Sequence, residues 1–163
     1  MAKRADIFDV LKQDHDRHRA LLADVEATHG ESADRTRLFE ELTLELKAHA
    51  AAEEQALYST VMRKPDLTDS ARHSVSEHHE IEEALNDLAA TDMASGGWLT
   101  KFKSFAHRYT HHIDEEEEEH FPEFAEELTD EDVHHIRRIF ERRKPAEKAS
   151  AEVTPEKKDE AKE

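Results

Sequence analysis

The sequence predicts an all-α fold: an up-down-up-down antiparallel four-helix bundle with an internal two-fold repeat, a short fifth helix and a disordered C-terminal tail. Three observations predict it. Apolar residues recur at helical spacing in four long segments, and no segment shows sustained strand alternation. Short turns separate the segments, which makes consecutive helices antiparallel neighbours. A shift of 63 positions superposes the first pair of segments on the second.

The first segment runs from about Asp6, an N-cap, to His29 and stops at Gly30; its inward stripe is Ile7, Leu11, His18, Leu22 and Val25. The second runs from Ser32 to Lys64, before Pro65, with Leu38, Leu42, Leu46, His49, Glu53, Leu57 and Val61 on one face. The third, from about Asp69 to Thr91, carries Val75, His78, Ile81, Leu85 and Leu88. After the turn Ser95-Gly96-Gly97, the fourth spans Trp98 to Glu127 with Phe102, Phe105, Tyr109, His112 and Glu116. Thr129 caps a short fifth helix bearing Val133, Ile136 and Phe140. This gives one domain over 1–143, followed by a charged tail over 144–163 that reads as disordered.

Composition excludes several function classes. With 40 Asp+Glu against 23 Lys+Arg the net charge is −17, which opposes nucleic acid or an anionic membrane as partner. No cysteine is present, so disulfides, zinc fingers, iron–sulfur clusters and a thiol nucleophile are excluded. No apolar run reaches a membrane span, and the N-terminal Lys3-Arg4 lacks an apolar stretch behind it. A cytoplasmic location is the expectation. Leu, Ile, Val and Phe together are 31 of 163 residues, a count that by itself points toward disorder. Against that stand only 3 Gly and 4 Pro, and 13 His, more than an ordinary domain needs. A metal site could supplement so small a core.

The repeat exposes the candidate site. His15 and His49 are 34 residues apart, as are His78 and His112. The 63-residue shift places His15 on His78, His49 on His112, Glu53 on Glu116 and Glu54 on Glu117. Both second members read His-x-x-x-Glu-Glu-x-x-x-aromatic, ending at Tyr58 and Phe121. Residues i and i+4 share a helix face, so His49 with Glu53, and His112 with Glu116, aim an imidazole and a carboxylate into the bundle. His15 and His78 each add one imidazole. Four buried imidazoles and two buried carboxylates cannot remain unpaired, whereas two metal ions would satisfy all six. Each metal would take two His, with the Glu pair bridging. Such ligands suit iron or manganese, with zinc also compatible.

These residues carry a family resemblance. Asp14-His15, His49-Ala-Ala-Ala-Glu53-Glu54-Gln-Ala-Leu57-Tyr58, Glu77-His78-His79-Glu80-Ile81 and His112-Ile-Asp-Glu-Glu116-Glu117-Glu-Glu-His-Phe121-Pro122 together resemble the hemerythrin-like (HHE cation-binding) domains over roughly residues 5–142. The resemblance implies an oxo- or hydroxo-bridged pair of iron ions in the bundle. It also implies reversible O2 binding, sensing of iron, oxygen or redox state, or processing of peroxide or nitric oxide. O2-carrying hemerythrins add a fifth histidine four residues before the position matched by His78; here that residue is Ser74. Glu82, His79 or water could complete the coordination. This departure takes weight from O2 carriage and adds it to peroxide chemistry or sensing. A catalase-like or oxidase enzyme is the alternative, and the fifth helix or tail could carry a signal to a protein partner.

Other residues have ordinary readings. His18 faces inward beside His15 as a supporting residue. His29, His73, His107, His111, His120, His134 and His135 read as surface or supporting histidines. Asp14 and Glu77 also repeat at 63, but they adjoin their histidines and are expected mainly to face outward. The run Asp114–Glu119 reads as a solvated face except for Glu116; Tyr58 and Tyr109 read as core, with hydrogen bonding to a bound oxygen species as the alternative. A ferritin-like site is disfavoured: Glu117-x-x-His120 has Glu54-x-x-Leu57 as its mirror, and Glu131-x-x-His134 lies in the fifth helix.

Overall fold

A computed structural model describes residues 6–30 and 32–151. Among them there are five helices and no strand. Helix α1 (Ile7–Glu26) begins in a capping box: Asp6 accepts from the Asp9 N–H at 3.0 Å, and the Asp9 carboxylate accepts from the Asp6 N–H at 3.1 Å. It ends four residues before Gly30, whose φ of 57° lies in the left-handed region that favours glycine. Helix α2 (Ala33–Glu53) is capped by Ser32 and runs on through a π-turn (Glu54–Tyr58) and one last α-turn (Ser59–Val61). A 3-10 turn at Pro65–Leu67 leads into α3 (Thr68–Ala90). Helix α4 (Gly96–Glu115), capped by Ser95, passes through a second π-turn (Glu116–His120) before a final α-helical stretch (Phe121–Glu127).

The four helices form a closed ring, α1 beside α2, α2 beside α3, α3 beside α4 and α4 beside α1. This is the expected up-down-up-down bundle. Its core divides into two apolar clusters. One, at the end where α1 starts, gathers Ile7, Leu11, Leu57, Tyr58, Phe121, Phe124, Ile136 and Phe140. The other gathers Leu22, Leu42, Leu85, Trp98, Phe102 and Tyr109. Between them lies a polar layer of buried His and Glu. Aromatics compensate for the low aliphatic count. Trp98 stacks on Phe102 with centroids 5.3 Å apart, Phe39 meets Trp98 edge-on at 5.4 Å, and Arg35 lies 4.9 Å over the Trp98 ring.

The fifth helix corrects the sequence reading. It does not end by residue 143. Helix α5 spans Asp130–Ser150, capped by a Thr129–Asp132 box, and so takes in residues 144–150 of the expected tail. Pro145 lies inside it. An internal proline costs about 3 kcal/mol and deletes one helical hydrogen bond. Tertiary contacts offset that cost: Lys144 and Lys148 reach buried Glu45 of α2 at 2.5 and 3.0 Å, and Glu147 accepts from Gln55 at 2.8 Å. Helix α5 covers α1, α2 and the first π-turn. The remainder of the expected tail, 152–163, lies outside the described residues.

Candidate metal centre

All six predicted residues converge in the polar layer, and all six are buried. His15, His49 and Glu53 place ligand atoms within 4.8 Å of one another, and His78, His112 and Glu116 do the same. In each half the i,i+4 pair is the tightest contact. His49 Nε2 lies 2.7 Å from Glu53 Oε2, and His112 Nε2 lies 2.9 Å from Glu116 Oε1. The second oxygen of each carboxylate faces the opposite half: Glu53 Oε1 is 3.7 Å from His78 Nε2, and Glu116 Oε2 is 3.3 Å from His15 Nε2. Both glutamates therefore span the two halves, as bridging ligands would. His15 and His49 have ring centroids 5.2 Å apart, as do His78 and His112.

A metal fits these residues. The His15 and His49 Nε2 atoms, both Glu53 oxygens and Glu116 Oε2 are buried without a well-formed hydrogen bond among the described residues, and close mainly on one another. Buried polar groups are seldom left unpaired, and several converging on one point constitute an electron-pair donor set.

Carboxylates hold the outer nitrogens. His49 Nδ1 meets Asp14 Oδ2 at 3.0 Å and His112 Nδ1 meets Glu77 Oε1 at 3.1 Å. His15 Nδ1 and His78 Nδ1 lie 3.7 and 3.8 Å from Glu117 and Glu54. The outward reading of Asp14 and Glu77 is thus corrected. Each supports the histidine of the neighbouring helix, not the one beside it in sequence. Their shared 63-residue offset was the available signal. A carboxylate on the outer nitrogen fixes the tautomer and turns Nε2 toward the centre.

Electrostatics follow from this arrangement. Burial alone would lower His49, but Glu53 and Asp14 raise it to about 9. Burial is likewise overridden at His78, to about 9 by Glu116 and Glu54, and at His112, to about 10 by Glu116 and Glu77. His15 is also raised, by Glu116 and Glu117 against burial. Glu116, despite complete burial, is held well below the carboxylate range by His112, His15 and His78. The metal-free centre is therefore a set of imidazolium–carboxylate pairs.

Sequence reasoning missed three features. The first is the pair of π-turns. An aromatic five residues after a ligand glutamate lies well off that ligand's face in a regular α-helix, yet Tyr58 and Phe121 are both buried. The wider π-turn makes up the difference, and the +5 spacing in both halves was its signature. The second is Tyr58, whose hydroxyl donates to Glu116 Oε1 at 3.0 Å. Burial, then Glu116 and Glu53, raise this phenol well above its usual value, so it stays protonated. The third is a chain of groups beyond His18. His18 is buried beside the centre as expected, and burial lowers it to about 3 against a weaker pull from Glu45. It is neutral, with Nδ1 2.7 Å from the Tyr109 hydroxyl and Nε2 3.5 Å from Glu45. Lys144 joins this chain to the centre, bonding both Glu45 and Asp14, the latter at 2.7 Å.

A small void of about 10 Å³ adjoins the buried donors, lined by His49, His78, His112 and Glu116 with Leu46, Ala50, Ile81, Tyr109 and Ile113. That is about the room of one water-sized molecule. Its walls Leu46, Ala50, His78 and Ile81 are shared with an open cavity of about 250 Å³ between α2, α3 and the end of α5. Ser74, at the place of the absent histidine, is buried beside the Tyr58 hydroxyl. No helix among the described residues is long and apolar enough to cross a membrane.

A helical bundle with imidazole and carboxylate donors in its core defines a class of cation-binding proteins. The model of the hemerythrin HHE cation-binding domain matches residues 6–124, and the chain belongs to that family. A crystal structure of a hemerythrin HHE cation-binding domain-containing protein from Mycobacterium kansasii has the same fold. Its TM-score is 0.78 and its identity 24%, over 90% of this chain and 90% of that one. No curated protein matches the chain.

Proposed function

We propose that His15, His49, Glu53, His78, His112 and Glu116 hold two iron ions bridged by the two glutamates. The protein would bind O2 or another small oxidant or diatomic there, in sensing, carriage or stress response. One observation supports this reading: two equivalent His–His–Glu sets face each other, each glutamate reaches both, and five of the facing donor atoms lack a well-formed hydrogen bond among the described residues. Manganese or zinc would fit the same donors, and iron is favoured by the family. When bound, a pair of irons supplies reversible electron transfer and open positions for a small ligand.

The chain's own groups then have definite tasks. Asp14 and Glu77 orient His49 and His112. Tyr58 offers a protonated hydroxyl beside Glu116. The apolar wall of Leu46, Ala50 and Ile81 separates the donors from the open cavity. A second reading, a peroxide-decomposing or oxidase enzyme, is favoured by Ser74, which leaves a coordination position without a histidine. Metal analysis with an optical spectrum, on protein made in iron-supplemented cells without chelators, tests the first reading. About two irons per chain with oxo-bridge bands in the near-ultraviolet are expected. Zinc, or no metal after anaerobic ferrous reconstitution, would overturn it. Metal-dependent O2 evolution from peroxide, lost in Glu116→Ala, would favour the enzyme.

A further inference from the structure

The second π-turn brings together a group of side chains outside the buried centre. Glu115 and His120 are five residues apart and would diverge on a regular α-helix. Across the π-turn at Glu116–His120 they meet, with His120 Nε2 3.1 Å from Glu115 Oε1. From α3, His73 Nε2 approaches the same oxygen at 3.3 Å and Glu77 Oε1 at 3.1 Å. His111 Nε2 lies 3.6 Å from the other Glu115 oxygen. The ligand atoms of His73, Glu115 and His120 all lie within 4.8 Å of one another.

Three features distinguish this group from a solvated surface. His120 is nine-tenths buried, its ring stacks on Phe124 at 6.0 Å, and its Nδ1 is buried without a hydrogen-bond partner among the described residues. Two imidazole Nε2 atoms converge on one carboxylate oxygen, where an ordinary exposed ion pair would use one. The fold does not require these residue types: the repeat-equivalent positions are Val10, Ala52 and Leu57, which pack in the apolar cluster beneath α5.

The geometry points to a second metal site, at His73, Glu115 and His120, that binds one divalent cation of the zinc class and is separate from the buried centre. Two imidazoles and a carboxylate are a zinc-type donor set with a position left for water, and His111 and Glu77 stand within reach of it. The half-exposed His73 gives access from solvent, and the net charge of −17 favours cation approach.

Calorimetric titration of Zn²⁺ into the full chain tests this, comparing wild type with His73→Ala and with His107→Ala, a histidine exposed elsewhere on α4. Wild type and His107→Ala are expected to take up one equivalent that His73→Ala lacks or binds roughly tenfold or more weakly. The difference in stoichiometry does not depend on which metal fills the buried centre. The optical spectrum of iron-loaded His73→Ala should match wild type. Equal zinc binding in wild type and His73→Ala would overturn the site. So would the same loss in His107→Ala, or a changed spectrum, which would assign the lost equivalent to the buried centre.

Discussion

The two halves of the bundle repeat in their ligands, supporting carboxylates and π-turns, and differ in what covers them. Asp14 and Glu77 support equivalent histidines, yet Asp14 lies under α5 with Lys144 on it, while Glu77 faces His73 on an uncovered surface. On the α1–α4 side the void is walled by Tyr109 and Ile113, with His18 behind. On the α2–α3 side the equivalent residues are Leu46, Ala50 and Ile81, beside an open cavity. The comparison teaches that the repeat specifies the buried layer of His and Glu, where six side chains converge. The surroundings have diverged: Tyr109 and Ile113 close one side, while Leu46, Ala50 and Ile81 separate the other from an open cavity whose outer walls are largely polar.

Removing the metal should break the comparison most completely. Stripped of metal, both halves keep their buried charges with only each other as partners. A fall in Tm of roughly 10 °C, equivalent to about 3–4 kcal/mol for a chain of this size, is expected in thermal melts followed by circular dichroism. Unchanged Tm in fully demetallated protein would refute a stabilising role for the metal.

Lys144→Met tests the covered side alone. It removes a cation shared by Glu45 and Asp14, and Lys148 remains as a partial substitute. A loss of about 2 kcal/mol is expected in denaturant melts, with faster amide exchange in the second half of α5. If α5 exchanges as in wild type, its anchoring lies elsewhere.

Asp14→Asn and Glu77→Gln compare the two supporting carboxylates directly. Each should weaken metal binding by about tenfold or more, measured by competition with a chelator. Only Asp14→Asn should also lower stability, because only Asp14 is tied to α5. Equal stability losses would mean that the covering helix does not distinguish the halves.

Titration should show how symmetric the inner layer is. His49 and His78 are raised to about 9 and His112 to about 10, so at pH 7 the metal-free imidazoles carry protons that the metal must displace. Metal affinity should therefore climb with pH until about 9–10, with proton release seen by calorimetry in buffers of different ionisation enthalpy. The metal-free chain behaves oppositely. These raised groups stabilise it fully below their unfolded value of about 6.5, and that contribution is lost as pH rises through 9–10. Absence of proton release at pH 7 would contradict the paired arrangement.

The smallest effect concerns access. Ala50→Ile copies the residue at the repeat-equivalent position, Ile113, and gives the open side the bulk of the closed one. Metal content should stay unchanged while stopped-flow binding of nitric oxide or azide slows several-fold. An unchanged rate would place the route elsewhere.

Much of this protein was legible in its sequence. The apolar spacing, the caps at Asp6, Ser32, Ser95 and Thr129, and the short turns determined the helices and their order, because local propensity and pattern act over a few residues. The 63-residue repeat singled out six residues that the fold does bring together, since residues four apart on a helix must share a face. The tertiary structure alone decided what depends on packing between distant segments. Asp14 and Glu77 adjoin one histidine in sequence and bond another across a helix interface. Residues 144–150 look like tail by composition, and they are helical because Lys144 and Lys148 find a carboxylate buried some hundred residues away. The π-turns lay between these cases. Their +5 aromatic spacing is written in the chain, but only the packed bundle shows that both the glutamate and the aromatic must point inward, which a regular α-helix cannot arrange.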